Sequence, residues 1–294
     1  MPKVAVVVRR LREMSHRLLG NALFPVSQTL DRTLTLQAMS SQRGTYHSLS
    51  PSRRWMCDLV ALSRTIPIAA LEHRLCLKPL IEAREAMPKP HPSWVALFLK
   101  AFALVARGRS HLRRGYFNFP WPHIYEHPTN VAAITVEREW RGEHAIFFDM
   151  LPMPETMGIM ELHHYLRRLK TEPVESIRPF RRLIRGNLAP LPLRRLIWRY
   201  LYSFSGPRRA RYIGTFAING GGRHPIRPVT TTGAIGTTLY FGLFDDKGAT
   251  DVCLTFDHRI MDGGEVVRTL DQLESVLNTD IVLELRALQA KNPL

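Results

Sequence analysis

The chain is poor in cysteine: Cys57, Cys76 and Cys253 are the only three in 294 residues. An odd number at such wide spacing offers neither a disulfide framework nor the paired spacing of a metal site, so reduced thiols in a cytoplasmic protein are expected. No run of about 18 uncharged apolar residues is present, which argues against a transmembrane helix. The early apolar run Val4–Val8 stops at Arg9 and Arg10, too short for the core of a signal peptide. Acidic residues are also scarce, with 25 Asp+Glu against 41 Lys+Arg and a formal net charge of +16. That surplus is either a solvated basic surface or a footprint for phosphate groups, nucleic acid, anionic lipid or an acidic carrier protein. No nucleic-acid module is recognisable, so a nucleic-acid partner is not expected.

What is present suits a globular chain, since 45% apolar and 9% aromatic residues suffice for a substantial core. Residues 1–48 read as an extension with a polar linker at Ser40–Thr45, and residues 49–294 as the folded domain. Within it, Ser52 is placed to cap a helix carrying Trp55, Met56, Leu59 and Leu62. Ile66–Ala70 reads as a short strand, and Pro79 opens a helix over Leu80–Met87. Ser93 caps a helix over Trp94–Ala106 that is apolar nearly all round and therefore buried. Phe117–His123, rich in aromatics and proline, reads as a fixed loop and a candidate pocket wall. Val131–Glu137 and Ala145–Met150 read as a hairpin turning at Arg138–Glu143. Pro154 opens a helix through Leu169 with Met160, Leu162, Tyr165 and Leu166 inward.

Arg178–Arg209 sets nine arginines among Leu191, Leu193, Leu196, Ile197, Trp198, Tyr200, Leu201 and Tyr202. A basic helix of this kind either lies on an anionic membrane or partner through residues 191–204, or turns its apolar positions to the core. Further on, Thr230–Thr232 and Thr238–Gly242 read as strand, and Asp245–Gly248 as a hairpin turn.

The densest signal is at 251–268. Val252, Leu254 and Phe256 alternate with Cys253, Thr255 and Asp257, the period of a strand with two unlike faces. His258 falls where the strand gives out. Asp262 stands three residues ahead of Glu265, a helix-start signature, and Val266, Val267, Leu270, Leu273 and Leu277 follow at helical spacing.

His258-Arg259-Ile260-Met261-Asp262-Gly263 resembles the H-x-x-x-D-G motif of chloramphenicol acetyltransferase-like, coenzyme A-dependent acyltransferases. The longer string from Phe256 to Gly264 resembles the DHRxxDG signature of acyltransferase subunits of 2-oxo acid dehydrogenase complexes. Similarity is fair at 93–115, where a Lys-Ala pair at Lys100 precedes the basic turn Gly108–Arg114, and at 212–222. The resemblance implies an α/β fold, a two-layer sandwich with a mixed central β-sheet. It implies acyl transfer in which His258 takes the proton of a thiol, hydroxyl or amine acceptor that attacks the thioester directly, with no acyl-enzyme. It further implies that Asp262 is held by an N-terminal arginine, Arg53 or Arg54, and that Gly263 completes the turn.

Asn219 stands where the family has a serine that donates to the tetrahedral intermediate. An amide is still a donor, and an Asn before glycines also suits a tight turn. Lys100 is read as structural first and as a coenzyme A phosphate contact second. His163-His164 resembles half of a peptide-condensation motif, but no Asp-Gly follows, so these are ordinary helix-surface histidines. The segment the family places near the 138–143 turn is different here, which leaves acyl specificity open. The family's lipoyl and subunit-binding domains have no counterpart in the sequence. The family implies coenzyme A as co-substrate, no metal, and a homotrimer with the active site at the subunit interface. A catalytically degenerate scaffold and a peripheral membrane protein that acylates lipids are the competing readings.

Overall fold

The computed structural model describes residues 45–220 and 235–291. The chain divides into two compact units, Met1–Ser48 and Leu49–Leu294, and the second is described below. Almost all of the expected extension, and the Thr230–Thr232 strand region, lie outside the described residues.

The described elements run in chain order as α1 (Pro51–Ser63), β1 (Ile68–Cys76), α2 (Lys78–Glu85), α3 (Trp94–Gly108), β2 (Arg114–Phe117), β3 (His123–Glu126), β4 (Val131–Trp140), β5 (Glu143–Pro152), α4 (Ile159–Thr171), α5 (Arg178–Gly186), α6 (Leu191–Ser203), α7 (Gly206–Ile213), β6 (Phe216–Gly220), β7 (Thr237–Phe244), β8 (Ala249–Asp257), α8 (Gly263–Asn278) and α9 (Asp280–Lys291). Six strands form one sheet in the order β1-β8-β7-β6-β4-β5, and β2-β3 form a separate ribbon. The sheet is mixed: β6 runs parallel to both β4 and β7, and the other pairs are antiparallel.

The core forms around α3. Ser93 accepts a hydrogen bond from the Ala96 amide at 3.3 Å, as the sequence suggests, and Leu97, Phe98, Phe102 and Val105 are fully buried. Phe98 stacks on Phe241 of β7 at 4.0 Å, and Phe102 meets Phe216 of β6 edge-on at 5.0 Å. Each such pair adds about 0.5–1.5 kcal/mol beyond its area. Helices α2, α4, α8 and α9 join α3 on this face.

The opposite face is covered at its β4–β5 end by α1 and α6, where Trp55 packs on Phe148 at 5.5 Å and on Trp198 at 4.4 Å. The sandwich is thus two-layered over most of the sheet, with a partial third layer built from the arginine-rich segment. On α6 the inward residues are Arg194, Leu201 and Tyr202, whereas Leu191, Leu193 and Leu196 are exposed. The apolar positions of 191–204 therefore divide, Leu201 and Tyr202 turned to the core and Leu191, Leu193 and Leu196 to the outside.

Several expectations shift. Strand β1 runs to Cys76 because it pairs with β8 along its whole length; Glu72, His73 and Arg74 interrupt the apolar run of an edge strand. Ser50, not Ser52, caps α1. The expected 117–123 loop is the tip of the β2–β3 hairpin. The β4–β5 turn is tighter than read, because Arg141 and Gly142 both take positive φ, 54° and 76°, and close it in two residues. After Pro154–Thr156, a 3-10 turn, Gly158 starts α4 anew.

Candidate functional site

Strand β8 ends as read, and the turn after it is fixed by main-chain hydrogen bonds. The His258 amide donates to Pro67 O at 3.0 Å and the Ile260 amide to Asp257 O at 2.9 Å, while Met261 is buried beneath. The same turn holds a feature not read from the sequence. Asp257 is fully buried and accepts from Arg259 Nε at 2.9 Å, Nη2 at 2.6 Å and main-chain N at 3.1 Å. The Arg259 guanidinium lies over the Tyr116 ring at 4.1 Å. Arg209 of α7, also buried, donates to Tyr116 O at 2.8 Å and to the Tyr202 hydroxyl at 2.9 Å. The residues on either side of His258 are thereby clamped, and its own side chain is turned outward.

The His258 side chain is 55% exposed, and its Nδ1 stands 3.4 Å from Asp262 Oδ1. A proton on Nδ1 held by that carboxylate leaves the Nε2 lone pair free to accept a proton. Asp262 takes the N-cap position of α8 without a side-chain capping bond, and its side chain is 86% exposed. The expected arginine partner is not there. Arg54 Nε donates to Leu49 O at 3.0 Å, and Arg53 is held through its main chain by Ser50. Both arginines lie in the first turn of α1, whose Trp55 packs on β5, four strands from β8. At about 4.8 Å per strand, that separation is too wide for an ion pair. Gly263 has open space where a Cβ would stand and no positive φ, so nothing within one chain demands glycine there.

Asn219 is half-buried near the end of β6, and its amide hydrogen-bonds the Tyr240 hydroxyl, opposing the rise that burial imposes on the Tyr240 pKa. A Cβ on the next residue, Gly220, would stand 2.5 Å from the Phe241 ring, so the glycine is required by close approach. Asn219 aligns with Tyr240, and Tyr240 with Cys253. Cys253 lies about 16 Å along β8 from His258, with two strand spacings of about 4.8 Å between β6 and β8. The two residues do not meet within one chain.

Lys100 has the surroundings of the first of its two readings, the structural one. It is 8% exposed, its Nζ donates to Glu155 O at 2.9 Å and to Met157 O, and Glu284 Oε2 lies 3.8 Å away. An ammonium enclosed by three acceptors is a structural tie between α3, α9 and the 154–158 turn. Arg109 and His111 of the basic turn, with Arg268 of α8 itself, gather around Glu265 in the first turn of α8. Burial holds His111 below the usual imidazole range, with Glu265 opposing. His163 is not a plain surface histidine, since its Nδ1 accepts from the Ser93 amide at 3.1 Å and steadies the start of α3. No group of metal-ligating side chains occurs among the described residues.

No family model matches the sequence, and no curated protein matches it. Solved structures do match in fold. A probable dihydrolipoamide acetyltransferase from Listeria monocytogenes 4b F2365 aligns over 85% of this chain and 98% of its own, with a TM-score of 0.55 at 14% identity. The dihydrolipoamide acetyltransferase of Azotobacter vinelandii aligns over 83% and 96%, with a TM-score of 0.58 at 12% identity. The cubic core of the pyruvate dehydrogenase multienzyme complex aligns over 83% and 96%, with a TM-score of 0.56 at 12% identity. The chain therefore has the fold of these acyltransferase domains.

Proposed function

We propose that the protein is a coenzyme A-linked acyltransferase whose active site is assembled from two copies of the chain. The observation that carries this reading is His258, exposed on a rigidly clamped turn with Asp262 at Nδ1. In the Azotobacter vinelandii enzyme a serine, a histidine and, four positions on, an asparagine have been investigated in the catalytic mechanism; His258 and Asp262 share the spacing of the latter two. His258 Nε2 takes the proton of a thiol, hydroxyl or amine acceptor as that atom attacks the acyl carbonyl. The imidazolium formed is stabilised by Asp262, and its proton leaves with the coenzyme A sulfur as the tetrahedral intermediate collapses. Asn219 of a neighbouring chain donates to the oxyanion, since the Asn219 of the same chain is out of reach. A homotrimer closes such a head-to-tail arrangement. The exposure of Asp262 and the open space beside Gly263 are consistent with a neighbour covering them. Arg109 and Arg268 supply positive charge for the coenzyme A phosphates.

The test is a screen of acyl-CoA donors for free thiol release in the presence of small thiol, hydroxyl and amine acceptors. Release above the buffer rate, lost in His258→Ala, supports the reading; equal rates for the two proteins favour a non-catalytic scaffold.

A second reading is favoured by one surface. Leu191, Leu193, Leu196, Tyr200 and Phe204 are all exposed on or beside α6, and Phe119 of the β2–β3 tip packs on Phe204 at 4.3 Å. A protein that acylates lipids would present such a face to an anionic membrane. Flotation with phosphatidylglycerol liposomes, lost in Leu196→Asp, is the expected result for that reading.

A further inference from the structure

The arginine-rich segment encloses a space that the transferase reading does not use. A cavity of about 1080 Å³ opens between the β4–β5 end of the sheet and α1, α5, α6 and α7. That is at the upper end for small-molecule sites and far more than a bare phosphate fills. Its apolar wall comprises Trp55, Phe148, Met150, Leu183, Trp198 and Leu201.

Two residues of the lining, Trp55 and His127, each carry a polar atom without a partner. Trp55 Nε1 and His127 Nδ1 are both buried and unbonded, in residues only 7% and 3% exposed. Both atoms are shut off from solvent and from the open space, so recognition of a polar group there falls to the charged side chains. The charge available on the wall is positive. Its single carboxylate, Asp149, already accepts from the Tyr165 hydroxyl and the Met150 amide. Arg194 is taken up by Asp58 at 2.8 Å, which leaves Arg182, Arg211 and, with one donor on the Tyr200 hydroxyl at 2.5 Å, Arg208 at the exposed edge. Burial, with Arg209 nearby, pushes His127 down to about 4, so its ring is neutral near pH 7. Helix α7 separates this space from the His258 turn: Arg208 and Arg211 line the cavity, while Arg209 between them reaches Tyr116 and Tyr202 beside Asp257.

We propose that this cavity binds one long-chain amphiphile with an anionic head group. Its chain lies against Trp55, Phe148, Trp198 and Leu201, and its head faces Arg182, Arg208 and Arg211. An apolar wall of this size recognises a hydrocarbon chain, and the arginine edge recognises a carboxylate or phosphate oxygen.

The test is titration of the full chain with cis-parinarate, a fluorescent C18 carboxylate. Saturable uptake of one equivalent is expected, displaced by oleate and, roughly tenfold or more less effectively, by uncharged methyl oleate. Gly186, on the cavity wall with open space where a Cβ would stand, provides a plug. Gly186→Trp and, independently, the double change Arg182→Gln and Arg211→Gln each weaken uptake roughly tenfold or more, with circular dichroism confirming that each variant is folded. Displacement by lysophosphatidylglycerol at lower concentration than oleate assigns the head group to a phospholipid, and the reverse order to a free carboxylate. Absence of saturable uptake overturns the proposal. So does equal displacement by methyl oleate, unchanged affinity in folded variants of both kinds, or binding to anionic vesicles with no uptake of the monomeric probe. His258→Ala takes up the probe like the wild type, so failure of the transferase reading leaves this test standing.

Discussion

Asp257 and Arg259 flank His258 and face each other, a fully buried carboxylate gripped by Nε and Nη2 along one edge of the guanidinium at 2.9 and 2.6 Å. The pair costs desolvation and, in return, fixes the main chain on either side of the exposed imidazole. Arg259→Met leaves Asp257 buried beside Arg209 alone. A loss of about 3–5 kcal/mol in urea unfolding is expected, together with a fall in kcat beyond that of a neutral surface change. An unfolding midpoint within error of the wild type would refute the clamp.

Lys100 separates structure from cofactor binding. Lys100→Met strands Glu155 O, Met157 O and the Glu284 carboxylate. It should cost about 2–4 kcal/mol of stability and leave the KM for an acyl-CoA donor unchanged at temperatures where the variant is folded. A raised KM with unaltered stability would return the lysine to the cofactor site.

Stability should fall with acid through buried histidine. In the unfolded chain His127 titrates at the ordinary imidazole value of 6.5, whereas in the fold desolvation, then Arg209, holds it at about 4. Between these values the unfolded chain binds a proton that the folded chain refuses. Stability is thus complete above pH 6.5 and drains away as pH falls toward 4, by on the order of 3 kcal/mol. His111 and His163, also held low, act in the same direction. Melting temperatures of wild type and His127→Gln measured from pH 7 to pH 4 should converge as pH falls; parallel curves would contradict the assignment.

Much of this was legible in the residues, and the failures have physical causes. The 251–257 alternation, His258 at the strand end and the apolar period after Gly263 placed β8, the turn and α8, because the apolar pattern of each follows what the fold buries. Ser93 and the apolar run after it placed α3 for the same reason. Arginines were the blind spot. A sequence reading treats them as solvated, yet Arg194 and Arg209 are buried and carry the α6–α7 layer through Asp58, Tyr116 and Tyr202. The exposed Leu193 and Leu196 erred the other way, since helical period does not tell which side of a two-faced helix meets the core. The Asp257–Arg259 clamp lay within the quoted motif, where attention to the histidine hid it. The separation of Asn219 from His258 depends on strand order, which no local pattern encodes.

That separation gives the sharpest test. His258→Ala and Asn219→Ala chains are unfolded together in equal amounts, reassembled, and assayed for thiol release from an acyl-CoA donor that the wild type cleaves. Each variant alone should lose most activity, on the order of 10² or more. The mixture should regain about one quarter of the wild-type rate, because in a closed ring one pairing in four joins an intact histidine to an intact asparagine. A mixture no more active than its two parents, or an Asn219→Ala protein as fast as wild type, would contradict a site in which the His258 base of one chain meets the Asn219 amide of the next.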